Sequence, residues 1–342
     1  MAAKNTHHKG SVLILSLWVL MLLTTFVTVI GLNVRQRITL ASRLEERNRL
    51  HHITEAGVKL AIAFLRVDVK ANPAGQSAES KAARFNNPDL FARVELDEGL
   101  AFVGTESVDH SGKTLLQYGL MDEERKVNIN TADRNVLSQL IALVSGKQDA
   151  EIYRIVESII DWREIGHSQL LGASSDEYYA SLPHPYAKKD APFELLEELM
   201  LVQGMDEELY AALKPFITIY GDGLVNVNTA PLQVLMALGL DEPVAFKLMA
   251  ARAGVDETEA TIDDHIFINS FDVTKELSDL IKLEKEEVVQ VDFLNASGYI
   301  TTSSHYFRID SSGTLGRREE RLKISCVYNS RNNIIEYWRE NN

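Results

Sequence analysis

The sequence predicts an α+β protein in which one long N-terminal helix packs on a small antiparallel sheet, and a large all-helical insert interrupts that sheet. Three observations support this fold class. An uncharged apolar stretch from Ser11 to Ile30 continues into an amphipathic helical pattern. Alternating apolar and polar residues, typical of strands, occur on both sides of a helical region. That region contains the same short motif twice, which indicates two similar units.

The apolar stretch follows a short basic leader that ends in Gly10. About 20 apolar residues, at about 1.5 Å of helical rise each, are enough to cross the hydrocarbon core of a bilayer. A cleaved secretory signal explains the stretch poorly, because it exceeds the usual apolar core of about 7–15 residues and no small-residue cleavage site follows. Two interpretations compete beyond that: an uncleaved signal anchor, and a type IV pilin-like N-terminus that a peptidase cuts after Gly10. The second also explains the glycine before the stretch and the helical pattern beyond it.

The helical pattern continues past the membrane-spanning stretch. No proline occurs before Pro73, so nothing forces a break between Ser11 and about Lys70. We therefore expect one helix whose transmembrane part covers residues 11–32 and whose second part, 33–70, packs on a soluble domain. The apolar residues of this second part that recur at helical spacing are Ile53, Ala56, Gly57, Leu60, Phe64 and Val67.

Three segments carry a resemblance to a known family: the apolar start from Gly10 to Leu20, Arg-Leu-Glu-Glu-Arg at 43–47, and Thr-Glu-Ala-Gly-Val-Lys at 54–59. The chain resembles the minor pseudopilin K of type II secretion systems, also called general secretion pathway protein K. Major pseudopilins carry a glutamate five residues after the processing site, where this chain has Leu15. Members of the K family also lack that acid. Because a carboxylate without a partner is costly in lipid, the resemblance implies that Leu15 marks a tip subunit, which starts the stack.

The resemblance also implies what the chain does and where. A prepilin peptidase would cut between Gly10 and Ser11, and the new N-terminus would be methylated. The mature chain would span the inner membrane once, with its C-terminal domain in the periplasm. It would start pseudopilus assembly with other minor pseudopilins at the tip, for protein export across the outer membrane. The implied partners are those minor pseudopilins, the major pseudopilin, the peptidase and the inner-membrane secretion platform.

Composition limits the other functions that the chain could have. Its 342 residues favour more than one domain, and its net charge of −14 argues against a nucleic-acid or anionic-membrane surface. An acidic soluble region and a basic leader fit translocation of the C-terminal part. The single cysteine, Cys326, cannot form an intramolecular disulfide, and its alternating surroundings predict a buried strand position.

The duplicated motif begins at Val127 (Val-Asn-Ile-Asn-Thr-Ala) and again at Val225 (Val-Asn-Val-Asn-Thr-Ala). We expect Thr131 and Thr229 to cap the helices that follow, and Pro231 to lie in a first helical turn. The asparagines of each copy should bond to local backbone and hold a sharp strand-to-helix entry. This interpretation makes both copies structural motifs rather than catalytic ones.

Helical periodicity after each copy predicts an all-helical insert over residues 128–285. One turn in it, from Gln203 to Glu208, resembles half of a helix-hairpin-helix, a module that often grips DNA. Here a single glycine is followed by three acids, which repel phosphate. A surface for other proteins is the favoured interpretation, and a DNA-uptake or pilus component is the alternative function.

The remaining boundaries follow from turn and strand signals. Residues 1–10 form the leader, 71–127 a loop and the first strands of a pilin-like domain, and 286–342 its returning strands. The predicted strands are Leu100–Ser107, Leu115–Met121, Tyr306–Asp310, Arg321–Tyr328 and Ile334–Trp338, with a turn at Asp109–Lys113 between the first two.

An acidic loop holds the candidate metal ligands: Asp161, Glu164, Asp176 and Glu177. Carboxylates gathered by a loop are typical Ca²⁺ ligands, and some members of the resembled family bind calcium in this region. The sequence departs from that family's denser acidic pattern, with Gly166, Ser174 and Ser175 where acids are common. A calcium site and a solvated acidic loop both remain open.

Nothing else in the sequence indicates a cofactor or an enzyme. The nine histidines show no metal-ligand spacing, and His51 and His52 fall on the long helix. No nucleophile-elbow, phosphate-loop or Cys-x-x-Cys motif occurs. We therefore predict no catalytic residues.

Overall fold

The computed structural model describes residues 9–71, 77–96, 99–108, 114–165, 175–316 and 321–341. The helices in these ranges are α1 (Lys9–Ala71), α2 (Ala78–Phe85), α3 (Pro88–Phe91), α4 (Arg134–Ser145), α5 (Asp149–Arg163), α6 (Ser175–Ser181), α7 (Glu207–Leu213), α8 (Leu232–Ala237), α9 (Glu242–Arg252), α10 (Val273–Leu280) and α11 (Lys285–Ser297). Two short 3₁₀ helices cover Glu123–Arg125 and Leu196–Leu201. The strands are β1 (Val94–Leu96), β2 (Gly99–Val103), β3 (Thr105–Val108), β4 (Thr114–Gln117), β5 (Met121–Asp122), β6 (Val127–Asn128), β7 (Ile217–Thr218), β8 (Val225–Asn226), β9 (Ile300–Thr301), β10 (Tyr306–Leu315), β11 (Arg321–Asn329) and β12 (Ile334–Asn341).

The main sheet is antiparallel, with strand order β1-β2-β10-β11-β12, and β5 also pairs with β10. Strands from before and after the insert therefore meet in one sheet, because β2 pairs with β10 over Gly99–Val103. β3 and β4 form a separate antiparallel hairpin, but the predicted strand Leu100–Ser107 is divided between β2 in the main sheet and β3 in this hairpin. Its predicted turn, Asp109–Lys113, lies outside the described residues.

One unbroken helix, α1, packs on this sheet, which confirms the predicted α+β fold. Its Gly57 lies so close to β10 that an added Cβ would come within 2.3 Å of Ser311 Oγ. The Ser311 hydroxyl donates to the Thr54 carbonyl at 2.8 Å, so helix and sheet are also joined by a hydrogen bond. The buried residues of this contact are Val58, Ala61, Ile62, Leu65, Phe91, Val103, Leu120, Phe307, Ile309, Ile324, Cys326 and Tyr328.

The N-terminal half of α1 packs on nothing in the described chain. Leu15 is 67% exposed, and the side chains from Val12 to Leu44 are exposed throughout. By length and composition, this helix is apolar enough to cross a membrane. Burial begins at Leu50, so the first part of the helix is exposed and its later part belongs to the core of the soluble domain.

The chain enters the insert at the end of α1 that is distant from the apolar segment. β10 runs alongside α1 in the opposite direction: Gly313 approaches Thr54, while Tyr328, which pairs with Phe307, accepts a bond from Arg66 at 2.9 Å. The chain leaves the sheet for the insert at β5, opposite Phe307 and Arg308. The insert therefore begins at the pole of the domain farther from the exposed apolar segment, and its Glu197 also reaches Arg339 of β12 at 3.3 Å.

Two similar units form the insert, and each is closed by a short parallel ladder. β6 pairs with β7 at the end of the first unit, and β8 pairs with β9 at the end of the second. The expectation of an all-helical insert is therefore corrected by these two-residue strands, which are too short to show a period in sequence. α4 packs on α8, so the two motif helices join the units into one core.

The helical region also extends beyond the predicted end at residue 285. Val291 and Leu294 on α11 are fully buried in the same core as α9. Residues 286–297, which were predicted to belong to the returning strands, are part of this helix instead. The second unit closes only at β9.

Candidate functional site

The asparagines of both motif copies hold the strand-to-helix entry as predicted. Asn128 Oδ1 accepts a bond from the Asn130 amide at 2.9 Å. Asn226 Oδ1 accepts the equivalent bond from Asn228 at 3.0 Å. Each pair folds the chain back on itself directly after a strand, which positions the next helix.

The second asparagine of each copy also clamps a distant segment of its own unit. Asn130 exchanges two hydrogen bonds with the backbone of Phe193, at 2.7 and 3.0 Å. Asn228 does the same with the backbone of Phe267, at 2.9 Å for both bonds. Both phenylalanines are buried, so each unit has one backbone-to-amide clamp that fixes a core aromatic. The sequence showed the repeat but not these partners.

A buried arginine completes each copy, and sequence analysis missed both. Arg163 donates to the carbonyl of Ile129, and Arg252 donates to the carbonyl of Val227 at 2.9 Å. Each arginine is the last residue of the helix that ends its half-unit. In both copies the arginine ends a buried helix, and this is the signal that the sequence offers. The number of residues between motif and arginine differs between the copies, so the repeat did not reveal the arginines.

The predicted threonine caps are wrong. Asp133 caps α4 instead, with Oδ1 accepting from the amides of Asn135 and Val136 at 2.8 and 2.9 Å. Pro231 is the residue directly before α8, one position earlier than a first-turn proline. Thr229 lies two residues before the cap position of α8, and its hydroxyl donates to Asp122 at 2.5 Å.

That bond belongs to a junction between insert and sheet, built around Asp122, Glu123 and Glu124. We call these three consecutive buried acids the acid trio. Asp122 Oδ2 accepts bonds from Thr229 at 2.5 Å, from Ser304 at 2.6 Å and from Asn226 at 3.0 Å. Asp122 therefore ties β5 to the second motif and to the segment that enters β10.

The other two acids of the trio bind the remaining parts. Glu123 accepts from Thr218 of β7 at 2.8 Å and pairs with Lys126 at 2.7 Å. Glu124 Oε2 accepts the backbone amide of His305 at 2.5 Å, at the start of β10. The acid trio thus connects the first unit, the second unit and the sheet through adjacent residues.

Burial dominates the electrostatics of Glu124 and Asp122. It raises the pKa of Glu124 to about 7, with added repulsion from Asp122 and Asp222, while the amide bond from His305 opposes the rise. Burial likewise raises the pKa of Asp122, against its bonds from Ser304 and Thr229. Protonation of these groups is therefore more favourable in the folded chain than in the unfolded one.

This shift predicts how stability changes with pH. A carboxyl whose pKa is raised on folding stabilises below its unfolded value, and that contribution is lost as pH rises through the folded value. Wild type should therefore lose stability relative to Glu124→Gln between about pH 4.5 and 7, by at most about 1.4 kcal/mol per pH unit. Thermal unfolding of both proteins across this range measures the difference. A difference that stays flat, or that grows in favour of wild type as pH rises, would contradict it.

The structure separates the candidate calcium ligands. Asp161 is buried at the end of α5, and its Oδ1 lies 2.9 Å from Lys188 Nζ; its Oδ2 has no hydrogen-bond partner among the described residues. Glu164 pairs with Arg163 at 3.1 Å, and Asp176 and Glu177 are exposed on α6. Within the described ranges, no three acidic, histidine or cysteine side chains come together to hold a metal ion. Residues 166–174 lie outside them, so a calcium site here stays a prediction.

The processing residues lie at the start of the exposed helix. Gly10 and Ser11 fall within α1, and the side chain of Ser11 lies outside the described residues. Leu15 points from the same helix into open space. Cys326 is fully buried as predicted, and burial raises its pKa to about 12, so it is a core residue rather than a reactive thiol.

The turn that resembles a DNA-binding hairpin makes contacts within the chain itself. Gly204, at φ 87°, packs against Ile155. Asp206 caps α7 through the Leu209 amide at 2.7 Å and lies 3.5 Å from Lys147. Its carboxylate occupies the helix N-terminus that a phosphate would need, which argues against the DNA-uptake alternative.

Comparison with known proteins finds matches to the same family. The family model described as type II secretion system (T2SS), protein K matches residues 114–222, which contain β4 and the first unit from β6 to β7. Type II secretion system protein K of Klebsiella pneumoniae is 28% identical over 88 residues, 26% of this chain and 27% of that protein. The protein of the same name from Pectobacterium carotovorum is 30% identical over 104 residues, covering 28% and 31%. That of Pseudomonas aeruginosa is 27% identical over 232 residues, covering 64% and 65%.

Each match spans less than two thirds of the relative's own length. A longer likeness exists in structure. A chain in the GspK-GspI-GspJ complex from the enterotoxigenic Escherichia coli type 2 secretion system superposes with a TM-score of 0.62 at 16% identity, covering 88% of this chain and 99% of that one. It shows a shared α+β fold. The resemblance in the sequence is thus confirmed: this chain is similar to type II secretion system protein K.

Proposed function

We propose that this chain is a minor pseudopilin that starts the pseudopilus at its tip, together with other minor pseudopilins, for protein export across the outer membrane. The observation that carries this proposal is α1 itself. Its first half is exposed and apolar, and its second half packs on the sheet. The two halves form one continuous helix. Such a helix can leave lipid and pack among the equivalent helices of other subunits while its domain stays folded.

The position of the insert supports a tip location. The two units leave the sheet at the pole of the domain farther from the apolar segment, where a further subunit of a stack would otherwise dock. Leu15 supports the same position, because a subunit with no neighbour above it has no N-terminal amine to pair with an acid. Lys4 and Lys9 before the apolar stretch, against a net charge of −14, favour a periplasmic domain.

This function implies several contacts with other proteins. The prepilin peptidase would process the leader at Gly10, and the inner-membrane platform and major pseudopilin would extend the fibre below the tip. The related E. coli chain occurs in a complex with GspI and GspJ, which supports equivalent minor pseudopilins as the partners here.

The test measures the mass of the N-terminal peptide of the protein extracted from membranes, with and without the prepilin peptidase. It also records which proteins co-purify with the chain. We expect a mature chain that begins at Ser11 only when the peptidase is present, and co-extraction of two other minor pseudopilins with it. Gly10→Val is the matched control and should keep the leader in both strains. An intact leader in every strain would contradict the proposal and favour an uncleaved signal anchor. A processed chain that never co-purifies with minor pseudopilins would rule out the tip complex.

A further inference from the structure

A lysine contacts Asp161, one of the candidate metal ligands. Lys188 Nζ is 2.9 Å from Asp161 Oδ1 and 3.1 Å from Asp190 Oδ1. The side chains of Lys188 and Asp161 are only 5% and 2% exposed, so solvent screens this pair weakly. The pair is therefore a buried contact and not a surface ion pair.

This pair joins two segments of the first unit. Asp161 is in the last turn of α5, next to Trp162, which stacks on Phe193. Lys188 is on the irregular segment after α6 that leads to Phe193. The ammonium thus anchors that segment shortly before its phenylalanine reaches the clamp of Asn130.

The arrangement does not fit a calcium ion bound at Asp161. Ca²⁺ needs about six to eight oxygen ligands at about 2.3–2.6 Å. An ammonium in hydrogen-bond contact with the same carboxylate blocks part of that sphere and repels a divalent cation. Glu164 is turned toward Arg163, and the described carboxylates form no cluster with Asp161.

We propose that Lys188 is a built-in counter-ion of Asp161, which makes the first inserted unit independent of divalent metal. One positive charge carried by the chain neutralises the buried carboxylate, as a bound cation would, and it also ties down the segment after α6. The inference concerns the stability of the unit itself and holds whether or not the chain assembles at a pseudopilus tip.

The test compares full-length proteins in detergent, with EGTA and with excess CaCl₂. Wild type should show the same Tm in both conditions, and calorimetric titration with CaCl₂ should show no binding. Lys188→Ala should lower the Tm by about 5 °C or more, because it leaves Asp161 buried and unpaired. Lys188→Arg should retain most of the wild-type Tm.

Lys189→Ala is the matched control. This neighbouring lysine pairs with Glu198 at 2.9 Å at a more exposed position, and its loss should change the Tm by about 2 °C or less. A wild-type Tm that rises with CaCl₂, a measured binding isotherm for Ca²⁺, or equal effects of Lys188→Ala and Lys189→Ala would each overturn the proposal. The titration of wild type decides the matter even if Lys188→Ala does not fold.

Discussion

Asp122→Ala is expected to loosen the whole insert from the sheet, at a loss of about 3 kcal/mol or more in the free energy of unfolding. The change leaves the hydroxyls of Thr229 and Ser304 and the amide of Asn226 without their shared acceptor. Each of them is buried, and a buried donor without a partner costs about 1–3 kcal/mol. Guanidinium unfolding of the full chain in detergent measures the loss, and limited proteolysis should show new cleavage near Ser304.

Asp222→Ala is the control for this prediction. Its carboxylate is 62% exposed and pairs with a similarly exposed Arg331 at 3.2 Å, so its removal should change stability by less than about 0.5 kcal/mol. Similar losses for the two variants, or an unchanged proteolysis pattern for Asp122→Ala, would show that Asp122 is not the centre of the junction.

Arg252→Ala is expected to destabilise the second unit by about 3–5 kcal/mol. The guanidinium is completely buried, and it donates to the Val227 carbonyl at 2.9 Å and to Glu259 at 2.8 Å. Its loss removes the bond that braces the second motif and leaves the Glu259 carboxylate beside an empty volume. The expected readout is a lower Tm, together with faster hydrogen exchange at the amide of Phe267, whose clamp by Asn228 depends on the same motif.

The suitable comparison is Arg154→Ala, since this arginine is exposed on α5. It should lower the Tm by no more than about 2 °C. If Arg252→Ala behaves like Arg154→Ala, the buried arginine is not what holds the motif in place.

The parts of the fold that the sequence predicted are those with a local period. The long helix was visible because its apolar residues repeat without a proline from Ser11 onward. The C-terminal strands were visible because their alternation survives from Tyr306 onward. The two motif copies were visible as a repeat, and their asparagines behave as their chemistry predicts. The two-residue ladders, such as β6 with β7, have no period to detect, and α11 was hidden by its charged first turn.

The junction could not be predicted for a different reason. Asp122 to Lys126 is a run of five charged residues, which in sequence is typical of a solvated surface. It is largely buried because partners from positions far along the chain, including Thr218, Thr229 and Ser304, supply the hydrogen bonds that water would otherwise make. The same reasoning applies to Arg252 and Lys188, whose partners are set by tertiary folding.

The pairing of β5 with β10 means that the chain leaves the sheet and returns to it at neighbouring positions. Asp122 lies opposite Phe307 in one antiparallel ladder, so the two inserted units are, in topological terms, a single enlarged hairpin connection. A short turn that joined β5 directly to β10 in place of the insert would leave the strand order unchanged. Such a graft can be gained or lost in evolution without rewiring the domain that carries it. The acid trio would then have to be substituted when the insert is gained or lost. Without the insert, those carboxylates would lack the hydrogen-bond donors and the burial that the insert provides.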